Sequence, residues 1–279
     1  MVGNFHMPPM GYGPGSQPSE EDGNELKYLQ MPQDMSSYVT HLPEVEDTTH
    51  LQPALDLLAD IAAAATAVGQ GGENQTFDLS TLDKENRDLM AETLGEGEVA
   101  MKIRSIPAIG VQESVFAGVW VLGGANVDAV EVGAVPRAAR DEAFTAKREP
   151  TGEKTPRTPS VVNAPPLLVE LEDKSRAFTP ETDTHVVNLT LLPHTEDDLA
   201  WLEQAMGQGA VEILSRGYGN CRVTATALPH VWQVRFYNSM DVLILDTYEV
   251  TAMPEVAIAA PEDLIDSGER IVEVLEAIR

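Results

Sequence analysis

LGEGEVAMKIRSIPAIGVQESVFAGVW (residues 94–120) and MGQGAVEILSRGYGNCRVTATALPHVW (206–232) align without a gap at a constant offset of 112. Identities fall at Gly95/Gly207, Gly97/Gly209, Val99/Val211, Arg104/Arg216, Val111/Val223, Val119/Val231 and Trp120/Trp232, seven of 27 positions. After a length difference of six residues, DAVEVGAVP (128–136) matches DTYEVTAMP (246–254); upstream, FDLSTL (77–82) answers VNLTLL (187–192). One order of features written twice along a chain is the mark of an internal duplication. Each copy reads as helix, strand, helix and then several antiparallel strands. The expected fold class is therefore α+β, two tandem repeats behind an extended N-terminal tail.

Local signals fill in the units. From Pro53 to Val68 a proline in the first turn, apolar residues at Leu55, Leu58 and Ile61 and a stop at Gly69 predict a helix. Thr195 is placed to cap a helix whose first turn holds Glu196, Asp197 and Asp198, charges that suit the positive end of a helix dipole. Period-two alternation marks VTATAL, VWQVRFY and VLILDTYEV as strands, with Trp232, Val234 and Phe236 on one face. GYGN and NSMD supply turns. A last helix spans Pro261 to Ile278, and the first copy has no counterpart to it. The domain reading is a flexible acidic, Met- and Pro-rich tail (1–50), a first repeat (51–138), a Pro- and Thr-rich linker (139–163) and a second repeat with the closing helix (164–279). The linker's Lys147, Arg148, Lys154 and Arg157 offer an alternative in which it folds back on acidic surface.

Composition narrows the function. The 279 residues carry a net charge of −27, spread as −7 (1–50), −8 (51–138), +1 (139–163) and −13 (164–279). Such a surface repels a phosphate backbone or an anionic membrane, so neither nucleic acid nor membrane is an expected partner, whereas a basic segment is steered towards it. With no long uncharged apolar run and no basic, apolar leader, the expected location is the cytoplasm. The single cysteine, Cys221, excludes an intramolecular disulfide, and one thiolate falls short of a structural zinc or cluster ligand set. The histidines at 6, 41, 50, 185, 194 and 230 lack metal-site spacing. His6 with Met7 and Met10 has the chemistry of a soft-metal site, but a Met-rich tail docking on a surface is the simpler reading. No cofactor and no catalytic constellation is expected.

The GxG pairs follow helices, so they read as helix stops rather than phosphate loops. Trp120 and Trp232 read as core. The segment Ser215–Arg222 differs: two glycines free the backbone of a hairpin tip that collects Arg216, Tyr218, Asn220, Cys221 and Arg222. With Asn238 and Met240 of the next turn, these are the candidate partner-binding residues. Cys221 reads either as a buried apolar residue or as a thiol activated by a neighbouring arginine.

NLTLLPHTEDDLAWLEQAMGQG (188–209), SRGYGNCR (215–222), VWQVRFYNSMDVLILDTYEV (231–250) and PEVAIAAPEDLIDSGERIVEVLEA (254–277) resemble hydrogenase expression/formation proteins of the HupH/HyaF type. GPGSQPSEEDG and YLQMPQDM resemble the N-terminus of that family. The resemblance implies a cytoplasmic accessory factor for uptake [NiFe]-hydrogenase, acting on the iron–sulfur small subunit before export. Its implied partners are the small-subunit precursor with its twin-arginine signal peptide, or another maturation accessory protein. The expectation is a non-catalytic chaperone. The competing readings are an iron or redox helper acting through Cys221 and a scaffold between other maturation proteins.

Overall fold

Helices begin in this chain where a side chain or a proline satisfies the first turn. In the computed structural model, which describes residues 49–217 and 220–278, the order is α1 (Gln52–Gly69), β1 (Gln75–Asp78), α2 (Lys84–Leu94), β2 (Val99–Ile103), β3 (Ile109–Glu113), β4 (Val119–Gly124), β5 (Val127–Val132) and α3 (Arg137–Glu142). It continues with α4 (Ala164–Ala177), β6 (His185–Asn188), α5 (Glu196–Met206), β7 (Val211–Ser215), β8 (Asn220–Ala225), β9 (Val231–Tyr237), β10 (Leu243–Val250) and α6 (Pro261–Ile278). The class is mixed helix and antiparallel sheet. The expected tail lies outside the described residues up to Thr48, as does Tyr218. FDLSTL and VVNLTLL are extended over shorter spans than their apolar patterns suggest: strand structure ends at Asp78 in one and at Asn188 in the other, where a 3-10 turn takes over.

Helices α2 and α5 show the capping chemistry. Asp83 accepts the Asn86 N–H and starts α2. Thr195 and Asp198 form a reciprocal capping box on α5, which satisfies donors that a helix leaves free at its N-terminus. Both helices end on a glycine with positive φ, Gly95 (54°) and Gly207 (71°). Two residues on, Gly97 and Gly209 pack where a side chain has no room: an added Cβ would lie 2.2 Å from the Ser114 carbonyl oxygen or 2.6 Å from that of Thr226. The backbone N–H of Gly97 donates to Glu113 O (2.7 Å) and that of Gly209 to Ala225 O (2.8 Å). The GxG spacing is therefore a helix stop followed by close passage under a strand end.

The strands join in the order β1-β5-β4-β3-β2-β7-β8-β9-β10-β6, every pairing antiparallel. The central seam is β2 against β7, with Met101 opposite Ile213. Following paired residues across the sheet sorts side chains by face. On one face, α1, α2 and α6 bury Val119, Val130 and Val132 of the first half, and α4 and α5 bury Val231, Tyr248 and Val250 of the second. On the opposite face Met101, Val111, Trp120, Ile213, Val223, Trp232 and Val234 form a third cluster. Its cover comes from the segments after β5 and β10, through Ala139 and Ala143 of one and Met253 and Ala257 of the other. Both tryptophans are buried, and their ring nitrogens donate to Gly133 O (2.8 Å) and Thr251 O (3.2 Å).

Two placements depart from chain order. Helix α6, read by its position as the close of the second half, packs on α1 and completes the first-half core with Leu264, Ile271, Leu275 and Ile278. Gly268 sits against Thr66 and Ala62, so the two helices approach closely. Residues 139–163, read as a linker, are tied down: Ala143 O accepts the Ala210 N–H (2.8 Å), Arg148 and Gln208 form a β-bridge, and Trp201 donates to Thr155 O (3.0 Å). These contacts run through the backbone of Ala143, Arg148 and Thr155, and the Arg148 side chain also pairs with Glu203, in keeping with the alternative in which the segment's basic residues fold back on acidic surface.

Candidate functional site

Turns β7–β8 and β9–β10 lie side by side at one end of the second half, because Asn220 pairs with Tyr237 and its amide donates to Asp241 Oδ1 (3.1 Å). Asn238 shapes the second turn, its Oδ1 accepting the N–H of Met240 (2.9 Å) and of Val242 (3.0 Å). Met240 is thereby held 76% exposed, and Val242, Leu243 and Ile244 follow at 53%, 46% and 56%. Leu191, at 79%, ends the 3-10 turn that runs on from β6. Strand β6 pairs only with Thr247–Val250 of β10. Beyond it Thr190 Oγ1 accepts the Asp246 N–H (2.9 Å), and among the described residues no strand lies beside the remaining edge of β10 towards Leu243.

The sequence-expected residues separate on this framework. Arg216 is exposed and follows β7, its N–H donating to Glu98 O (3.1 Å). Asn220, Asn238 and Met240 share the apolar end. Arg222 stands on the helix-bearing face, its guanidinium 5.0 Å from the centroid of the Tyr237 ring. Cys221 points the other way, into the third cluster, and is buried. Strand alternation explains the split: neighbours at a hairpin base face opposite sides. Burial, with the Glu249 carboxylate adding to it, pushes the Cys221 thiol up to about 11, which disfavours the thiolate form.

Val242, Leu243, Ile244 and Leu191 escaped the residue-by-residue reading. For the first three the signal was the four consecutive apolar residues VLIL (242–245) that open a segment otherwise read by its alternation, whereas Leu191 offered none. No group of three or more metal-ligating side chains occurs among the described residues, and none of their helices is long and apolar enough to cross a membrane.

The amino-acid sequence matches a known class. The family model of the HupH hydrogenase expression protein C-terminal conserved region fits the chain twice, over residues 51–146 and 161–278. The chain belongs to this family of hydrogenase expression/formation proteins. It is 62% identical to the hydrogenase expression/formation protein HupH of Rhodobacter capsulatus over the full length of both chains. It is 42% identical to HoxQ of Cupriavidus necator, covering 99% of this chain and 98% of that one. To the hydrogenase-1 operon protein HyaF of Escherichia coli it is 32% identical, covering 98% and 95%. Among solved structures, HupH of Thiobacillus denitrificans aligns with a TM-score of 0.39 at 26% identity, over 41% of this chain and 96% of that one.

Proposed function

We propose that this protein is a non-catalytic accessory factor of hydrogenase maturation, a chaperone that holds the immature iron–sulfur small subunit of a [NiFe]-hydrogenase in the cytoplasm. The names of its relatives supply the hydrogenase context. The observation that carries the reading is the exposed apolar end formed by Met240, Val242, Leu243, Ile244 and Leu191. Contiguous exposed apolar side chains on a strand edge mark a binding surface for an extended segment. The net charge of −27 favours a segment that is apolar and flanked by cations, the chemistry of a twin-arginine signal peptide. Arg216, Tyr218, Asn220, Asn238 and Met240 are the proposed contacts around it, with Arg222 at their margin.

The division into two copies belongs to the same reading: a first unit over 51–138, a connecting segment 139–163 and a second unit over 164–279, duplicated from one ancestor. The two family-model matches support it, as do the paired GxG passages and tryptophan hydrogen bonds. Specialisation then lies in the second hairpin. The iron or redox alternative fares worse, since a buried thiol lifted to about 11 is a poor ligand; Cys221→Ser is expected to mature hydrogenase normally.

Co-purification of the full chain with the small-subunit precursor tests the function. The complex is expected with the wild type and at least tenfold weaker with Met240→Asp/Ile244→Asp, whose exposed positions leave the fold intact. Absence of a complex in every maturation-mutant background ends the reading. Undiminished binding by the double variant moves the contact away from the hairpin.

A further inference from the structure

The helix-bearing face is covered only at its two flanks. Helices α1, α2 and α6 lie over β1, β4 and β5, and α4 and α5 lie over β6, β9 and β10. Among the described residues, no helix lies over the strands between them, β3, β2, β7 and β8, on that face. Four strands at 4.7–4.9 Å spacing make a strip roughly 14–19 Å across, wide enough for one helix of about 10–12 Å diameter. The strip contains a groove of about 430 Å³ whose lining includes Ala100, Lys102, Leu214, Arg222, Arg235 and Tyr237. A smaller cleft shares Glu212, Thr224 and Arg235 with it and continues to Arg148.

The charge of this strip opposes that of the chain. Lys102, Arg104, Arg148, Arg222 and Arg235 gather here, out of 18 lysines and arginines in a chain of net charge −27. Three of them are matched, Arg104 by Glu212, Arg148 by Glu203 and Arg235 by Asp246. Lys102 lies opposite Glu212 across β2 and β7, a carboxylate already engaged by Arg104 and Gln208, and neither Lys102 nor Arg222 has an ion pair within 4 Å among the described residues. Arg222 and Arg235 are moreover directly opposed on β8 and β9, and like charges facing each other across strands destabilise a sheet. One buried carboxylate, Asp246, serves that pair at 3.4 Å from Arg235 while also accepting from Gln233 (3.0 Å). An anion over Lys102 and Arg222 would relieve the arrangement. Ala100, Leu214 and the Tyr237 ring supply the apolar remainder of the floor.

We propose that this groove is a second interaction surface, which seats an acidic amphipathic helix of a partner protein between the two helix layers, carboxylates on Lys102 and Arg222 and apolar side chains on Leu214 and Tyr237. It is chemically opposite to the hairpin end, which suits a cationic apolar segment. The inference goes beyond the chaperone reading and stands without it.

The test uses the full-length protein and three probes: an 18-residue synthetic helix with leucines on one face and glutamates beside them, the same helix with lysines for glutamates, and inorganic phosphate. The glutamate helix is expected to bind, to weaken with added salt, and to lose at least tenfold in affinity with Lys102→Glu/Arg222→Glu but not with Arg176→Glu, an exposed site on α4. A benzophenone side chain placed at position 214 is expected to photocrosslink to the same helix. The proposal is overturned if the double variant binds the glutamate helix as wild type does, if the lysine helix competes for the site, if phosphate alone binds, or if position 214 yields no crosslink. Each of those results leaves the precursor complex of the chaperone reading untouched, because that complex is measured separately.

Discussion

Asn86 and Asp198 occupy equivalent positions, third in α2 and third in α5, and both are buried. Each ties its helix to the start of the preceding long helix. Asn86 Oδ1 accepts the Ala54 N–H of α1 (2.9 Å), and its amide donates to His50 O (3.1 Å) and to Asp83. Asp198 has no donor to give, and instead accepts four backbone N–H groups: those of Val162 (2.8 Å), Asn163 (2.9 Å) and Ala164 (3.0 Å) on one oxygen and that of Thr195 (3.0 Å) on the other. Burial by itself would raise the Asp198 carboxyl, yet the N–H groups outweigh it and hold the group below its ordinary value. The Asn86 link to α1 is made by a neutral amide, although the Asp83 cap beside it is a carboxylate that the Asn86 N–H and amide hold below its ordinary value. The Asp198 junction is ionic and acid-sensitive.

The same contrast recurs further along. Gly118 and His230 share a left-handed backbone, φ 75° and 64°. Glycine adopts that conformation without steric cost, and Gly118 also lies under Leu264 of α6, 2.4 Å from an added Cβ. Among the described residues no helix plays the part of α6 over the second half, and there His230 stacks on Phe178 (4.1 Å between centroids). Glu131 and Glu249 are a third pair. Glu131 accepts from the Asn74 amide (2.7 Å) and the Arg137 N–H (2.9 Å). Among the described residues Glu249 accepts only from the Thr247 hydroxyl (3.3 Å); burial dominates and raises its carboxyl. These paired positions thus differ in how each polar group is satisfied.

The largest expected effect comes from breaking the ionic junction. Asp198→Ala leaves several helix-start donors unsatisfied and is expected to cost about 3 kcal/mol in chemical denaturation. Because the native pKa is depressed, the stabilisation is present above the ordinary value of 3.8 and lost as pH falls through the native value. Asp198→Asn should flatten that acid limb, and a limb left unchanged would show that the carboxylate is not its source. Next, Gly118→Ala combines a strained backbone with a clash on Leu264, an expected loss of about 2 kcal/mol. His230→Ala at the equivalent backbone should cost clearly less, and equal melting shifts for the two would contradict the assigned role of α6. The smallest effect separates the glutamates. Glu131→Gln is expected to destabilise by about 1 kcal/mol, whereas Glu249→Gln should stabilise at neutral pH. A raised native pKa means that the wild-type contribution of Glu249 is complete below the ordinary 4.5 and falls away as pH rises through the native value. Unfolding midpoints between pH 4.5 and 7 should therefore converge at the acid end for Glu249→Gln and wild type.

Much of this molecule was legible because its signals are local. Proline and the apolar period place α1, the Thr195 to Asp198 spacing gives the capping box, and Pro261–Ile278 is helical to the residue. Alternation put Trp232 and Val234 on one face and in the core. The hairpin residues were found only in part, since Asn220, Asn238 and Met240 advertise a turn, while Leu243 and Ile244 look like any buried strand until exposure is known. Cys221 was grouped with Arg222 as a neighbour in sequence, although one residue along a strand reverses the face.

Taken alone, the amino-acid order determined the α+β class, the caps, the excess of negative charge and the family, all properties of short windows or of sums over the chain. Tertiary structure decided which surfaces those elements leave open. It sent α6 across to the first-half core, seated the segment 139–163 on the sheet, and joined β2 to β7 so that the central strands carry cations between two helix layers. The physical reason is that burial depends on partners distant in sequence. A strand's pattern records that it has two faces, but only packing settles what covers each.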